Sequence, residues 1–216
     1  MSLFEYLSNY YFDQSALLQN CQIDEDTLSN WQDKGLFPKP AYRLKSQIEC
    51  SSYYGLHQCT EYWDYYPRGY VKWAKLLNSK PELTSSQAFE LFFTQYGQHL
   101  NALAQQGLIC SNESFNEEFA EHVQSQWQHF LNGKFGLLTQ NGFVEEIVET
   151  EVAISLISDI TQLHSKPELN SDEKQVIRTA VKKLSKSLSH FAPHERDTSY
   201  RKRFIDDTIK LYNLKA

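Results

Sequence analysis

The chain has 216 residues, 41% of them hydrophobic and 14% aromatic, and a formal net charge of -6. That much apolar material packs a substantial core, which excludes an intrinsically disordered chain. No run approaches the roughly eighteen uninterrupted apolar residues of a membrane-crossing helix, and four scattered cysteines are too few for a disulfide framework.

The opening MSLFEYLSNYYFDQ carries Glu5 and Asp13 and lacks a basic leader region. The expected setting is therefore soluble and cytoplasmic, with reduced thiols. The charge is unevenly spread: residues 171–216 hold eleven of the 21 Lys and Arg against six acids. A phosphate-binding surface, if the chain has one, belongs there; the plainer reading is the solvated faces of two amphipathic helices.

In chain order, short helices are predicted at Phe4 to Phe12 and Gln14 to Asn20, then one at Glu25 to Lys34 with Asp24 as its cap and Gly35 as its stop. Pro38 and Pro40 end that pattern. Positions 50 to 73 are crowded with tyrosine and tryptophan and read as an aromatic connecting segment. Thr84 or Ser85 caps a helix reaching Gly107, with Phe89, Phe92, Phe93, Tyr96 and Leu100 on one face. Further helices are predicted from Ser114 to Asn132, from Val144 to Leu163, from a Ser171 cap to Phe191, and from Pro193 to Tyr212.

Strands find little room in this pattern. The expected fold is all-α, with a helix-turn-helix-like unit at 1–45, a connecting segment at 46–79 and a helical bundle at 80–216. Residues 14 to 34 have helix-turn-helix dimensions. The run Thr27, Leu28, Trp31, Lys34, Gly35, Leu36, Phe37, Pro38 resembles the opening of MerR-like winged-helix domains. That resemblance implies DNA binding, yet the second helix opens with Asp24, Glu25 and Asp26 and carries no arginine. Carboxylates there oppose phosphate contact, so nucleic acid is not expected as a partner.

Three groups are candidates for chemistry. Cys50, His57 and Cys59 lie within ten residues, but their spacing fits no standard zinc site and small buried cysteines are the default, so no metal or cofactor is expected. His122 and His129 are seven apart on a helix, too far to share a metal. Tyr62, Tyr65, Tyr66 and Tyr70 carry hydroxyls that need water or partners, which suits a ligand-lining rim. His194, Glu195 and Arg196, with Arg201 and Arg203 beyond, concentrate polar groups at a predicted helix start, either as an anion site or as a charged network between helices.

Two stretches, WQHFLNGKFGL from Trp127 to Leu137 followed by Glu145, Glu146, Ile147 and Glu151, and FAPHER from Phe191 to Arg196 followed by Ser199, Arg201 and Arg203, resemble a bacterial family of unknown function sometimes associated with natural-product gene clusters. The resemblance implies no activity, cofactor or catalytic residue. No phosphate loop, dinucleotide fingerprint, nucleophile elbow or HExxH pair is present. The leading expectation is a helical binding or regulatory protein for a small molecule or protein partner. The alternatives are an enzyme using His194 to Arg196 with nearby tyrosines, and a DNA-binding regulator. No membrane association is expected, and composition does not set an oligomeric state.

Overall fold

A computed structural model describes residues 1–214; the last two residues of the expected 80–216 bundle lie outside the described residues. The N-terminal part runs α1 (Leu3–Tyr10), β1 (Tyr11–Asp13), α2 (Gln14–Cys21), α3 (Glu25–Asp33), β2 (Tyr42–Ser52), β3 (Gly55–Pro67) and α4 (Tyr70–Ser79). The helical part follows as α5 (Ser85–Gln105), α6 (Phe119–Leu131), α7 (Lys134–Leu138), α8 (Val144–Thr161), α9 (Ser171–Ser187) and, after a π-helical stretch at Lys202–Asp206, α10 (Asp207–Leu211). No helix among the described residues is long and apolar enough to cross a membrane.

Helix starts follow their caps. Asp24 accepts from the Thr27 amide at 2.8 Å, and Thr84 and Gln87 close a reciprocal capping box at the start of α5. Asn170, one position before the expected Ser171, caps α9 in the same way through Glu173. The helix expected from Pro193 is delayed: Phe191 takes a left-handed φ of 55°, a 3₁₀ turn spans Arg196–Thr198, and continuous helical backbone follows only from Tyr200.

The all-α expectation is overturned by an antiparallel three-stranded sheet in the order β1-β3-β2. The aromatic-rich stretch is a strand, not a linker. β2 and β3 pair from Tyr42 opposite Tyr65 to Ser52 opposite Gly55, and β1 pairs only with Tyr65, Tyr66 and Pro67. Tyrosine and tryptophan suit a pleated backbone, and β2 carries the period-two signal of a strand, Tyr42, Leu44, Ile48 and Cys50 alternating with Arg43, Lys45, Gln47 and Glu49. β3 carries no such alternation, and outside its root the ribbon is exposed on both faces.

The main core is continuous across the expected boundary at residue 80. Leu17, Leu28, Phe37, Tyr66 and Tyr70 share one buried cluster with Phe92, Tyr96, Trp127, Phe130 and Val148. Trp127 stacks on Phe130 at 5.4 Å, and Trp73 meets the same ring edge-on at 5.4 Å. A second cluster joins Ala153 and Ile157 of α8 to Ile177 and Leu184 of α9 and to Phe204, Tyr212 and Leu214. Among the 18 residues of α8, only Asp159 is exposed, the pattern of a helix enclosed on all sides.

The turn from α6 into α7 is set by glycine. Gly133 has φ +78°, and a Cβ there would lie 2.6 Å from the Pro40 carbonyl oxygen. A Cβ on Gly136 would lie 2.7 Å from the Tyr70 hydroxyl and 2.8 Å from Pro67 Cγ, so this glycine lets α7 close on the root of β3. Gly136→Ala is expected to cost about 2 kcal/mol through overpacking, read as a lower urea midpoint at unchanged slope.

Candidate functional site

The expected tyrosine rim is dispersed by the strand geometry. Tyr62 lies out on the ribbon, 74% exposed, with the Lys45 ammonium 5.9 Å from its ring. Tyr65 and Tyr66 are adjacent on β3 and so point to opposite faces. Tyr66 and the fully buried Tyr70 belong to the main core, and the Tyr66 hydroxyl accepts from Gln32 Nε2 at 3.4 Å. Tyr65 alone joins the small cluster at the sheet root with Tyr6, Leu7, Tyr11 and Ala192.

That cluster takes in the polar FAPHER segment. Glu195 accepts from the Tyr42 hydroxyl at 2.7 Å and from the Ala192 amide at 3.0 Å. Burial, then the neighbouring Tyr11 and the Glu195 carboxylate, hold the Tyr42 phenol protonated, as a donor must be. The Arg201 guanidinium donates to the carbonyls of Ser185, Leu188 and Ser189, closing the C-terminal end of α9. His194 and Arg196 are exposed, and Arg203 lies over the Phe204 ring at 5.0 Å. His194 and Glu195 lie in a turn and Arg196 opens the 3₁₀ element that follows it, so the three do not form the first turn of an α-helix. Glu195 thus ties this segment to the sheet root, and Arg201 ties the C-terminal helix to the end of α9.

A second polar group forms where α5, α6 and α8 meet. The Tyr96 hydroxyl donates to Glu151 Oε2 at 2.5 Å and lies 3.1 Å from His122 Nε2, which is itself 3.3 Å from Glu151. Burial and the adjacent carboxylate raise the Tyr96 phenol well above its ordinary range. The phenol thus stays a donor. With Tyr96 fully buried and Phe115 edge-on to His122 at 5.2 Å, the trio satisfies buried polar atoms and opens on none of the principal cavities. Spacing alone did not reveal it, because its three members sit 26 and 29 positions apart on three helices.

The third feature is a groove of about 480 Å³ between α9 and the C-terminal helix. Val181, Ile205, Ile209 and Leu214 form an apolar floor, and Arg178, Lys182 and Lys186 stand along one side at helical spacing. All three cations are exposed, and among the described residues none lies within ion-pair distance of a carboxylate. Their neighbour Lys183, by contrast, is bound to Glu149 of α8 at 2.9 Å. The arrangement can take a negative head group with an apolar tail. Its one legible trace in the sequence is the basic excess of the tail, which equally fits solvated helix faces.

On the ribbon, Cys50 is opposite His57, and Cys59 falls on the same face two residues on. Among the described residues no group of three or more His, Cys, Asp or Glu is placed to hold a metal ion.

Residues 88–213 match the family of unknown function DUF6058, and the chain belongs to that family. No curated protein and no solved structure matches it. The matched span contains both the Trp127 to Leu137 stretch and the FAPHER segment, together with α8, α9 and all the groove residues except Leu214.

Two measurements test the polar assignments. Tyr96→Phe removes the donor facing Glu151 and is expected to cost about 1–2 kcal/mol in chemical denaturation. His164, whose Nε2 lies 2.8 Å from the buried Thr208 hydroxyl, has its pKa lowered by burial and then by Arg203. A histidine with a depressed folded-state pKa contributes stability above its unfolded value that is lost as pH falls through the folded one. Stability is therefore expected to drop on acidification below about pH 6.5, with a shallower fall in His164→Gln when melting is followed against pH.

Proposed function

We propose that this DUF6058 protein is a non-enzymatic binding protein for an anionic amphiphile, a single alkyl chain ending in a carboxylate or phosphate. The observation carrying this reading is the row of Arg178, Lys182 and Lys186, free of carboxylate partners among the described residues, above an apolar groove. The groove volume lies within the usual range for small-molecule sites.

The physical logic joins two terms. Methylenes laid on Val181, Ile205, Ile209 and Leu214 gain about 0.8 kcal/mol each on burial. A head group at the cations gains charge-assisted hydrogen bonds, bidentate ones at Arg178. Neither term alone gives selectivity, since an alcohol lacks the charge and a short anion lacks the tail.

Against an enzyme stands the placement of the two polar groups. Glu195 and Arg201 are consumed by internal hydrogen bonds, and Tyr96, His122 and Glu151 are bonded to one another away from the groove. Against DNA binding stand the exposed Glu25, Asp26 and Asp33 on α3.

Isothermal titration with decanoate, dodecanoate and dodecyl phosphate tests the reading. Affinity is expected to rise roughly tenfold for each two methylenes and to weaken with added salt. Arg178→Glu with Lys182→Glu is expected to lower affinity by about thirtyfold or more while leaving the melting temperature near that of the parent. Equal affinity for dodecanol, or no heat with any of the three anions, would overturn the proposal.

A further inference from the structure

The β2-β3 ribbon is an unsupported arm. Between positions 45 and 62 only Ser46, Cys59 and Glu61 are half-buried, and every other residue is exposed. Two antiparallel strands alone are marginal in water, and a stable sheet of this length wants a third strand or a packed face. β1 supplies a neighbour only at Tyr65 to Pro67, so the outer arm has none among the described residues. β2 is the sheet edge over its full 11 residues and contains neither proline nor glycine to blunt it.

We propose that the arm closes on a second copy of this chain, through antiparallel pairing of β2 with β2 about a two-fold axis at Gln47. The strand is self-complementary in that register. Lys45 falls opposite Glu49 of the second copy, and Glu49 opposite its Lys45, so the axis generates two opposite-charge cross-strand pairs. Lys45 has no carboxylate partner among the described residues, only the Tyr62 ring. Shifting the axis to Ser46 would instead match Arg43 with Glu49, but Arg43 is already engaged by Asp64 at 3.7 Å. The Gln47 axis uses the free cation.

The same register disposes of the arm's exposed apolar groups. Leu44 falls opposite Cys50 of the second copy, and Ile48 opposite its Ser46, which carries the stripe of Leu44, Ile48 and Cys50 across the junction on one face. Tyr53 and Tyr54 at the tip are 97% and 96% exposed. Continuing the register places Tyr53 opposite Ala41, so both tip rings reach the root of the other arm, where Tyr42 and Leu44 meet the body. The product is one six-stranded sheet with its two longest free edges removed. The mixed charge of the arm, with Arg43 and Lys45 against Glu49, Glu61 and Asp64, suits this partner better than a nucleic acid.

Sedimentation of the full chain tests the pairing. The expected result is a species of twice the 25.3 kDa chain mass. Lys45→Glu places like charges opposite each other twice and is expected to weaken association about tenfold or more. Combining Lys45→Glu with Glu49→Lys restores the pairs and is expected to recover it. Gln47→Cys in a Cys50→Ser, Cys59→Ser background is expected to yield a disulfide-linked dimer on mild oxidation, whereas Ser46→Cys or Ile48→Cys in that background is not. A chain that sediments as a monomer at every soluble concentration, a double charge variant that fails to recover, or cross-linking at 46 or 48 in place of 47 would each overturn the proposal.

Discussion

The enclosure of α8 is the constraint on which the rest of the structure depends. A helix with only one exposed residue in eighteen cannot stand at a surface, so every neighbouring element is positioned by the need to cover it. Its first half is covered by α5 and the aromatic core, and its second half by α9 and the C-terminal helices. Acidic side chains on such a helix must be matched, because an unpaired buried charge is far costlier than any packing gain. Glu151 is matched by Tyr96 and His122, Glu149 by Lys183 and Ser187, and Glu146 by the amide and side chain of Asn141. Burial pushes the Glu146 carboxyl upward even so.

This matching explains what the two motif-bearing stretches do. Trp127, Phe130 and Phe135 fill the core beside α8, while Gly133 and Gly136 bring α7 against Pro40 and Tyr70 with no side chain between. In the FAPHER segment, Ala192 is fully buried and Glu195 ties the segment to β2, while Arg201 beyond it closes the end of α9. In the fold, Glu195 and Arg201 spend their polar atoms on internal hydrogen bonds. A guanidinium donating to three carbonyls has no fork left to clamp a carboxylate or phosphate.

Among the cations outside the internal network, three stand together on the outer face of α9. Lys183 turns inward to Glu149, and Arg178, Lys182 and Lys186 line the groove. The ribbon is the corresponding surplus in the N-terminal part: apolar and hydrogen-bonding capacity that the described residues do not use. Both features are surfaces of unspent interaction, and they lie on different elements. The proposed ligand capture and the proposed self-association therefore rest on separate surfaces.

The sequence by itself determined the helices that are amphipathic or capped. Asp24, Thr84 and the Asn170-Ser171 region mark three starts, and the periodicity of α5, α8 and α9 follows from one buried face or, in α8, from all of them. These signals are local, because a cap and a helical stripe are written within a dozen residues. The alternation of Tyr42, Leu44, Ile48 and Cys50 with polar residues was a legible strand signal in β2. Yet only the tertiary structure decided that Tyr42 to Pro67 is a ribbon, since β3, wet on both faces beyond its root, carries no alternation to read. It likewise decided that Tyr62, Tyr65, Tyr66 and Tyr70 part company, and that Tyr96, His122 and Glu151 meet, because proximity across three helices is a property of packing. Arg178, Lys182 and Lys186 were legible as a basic helix face. That an apolar floor from another helix lies beneath them was not, for a groove belongs to two elements and periodicity describes one.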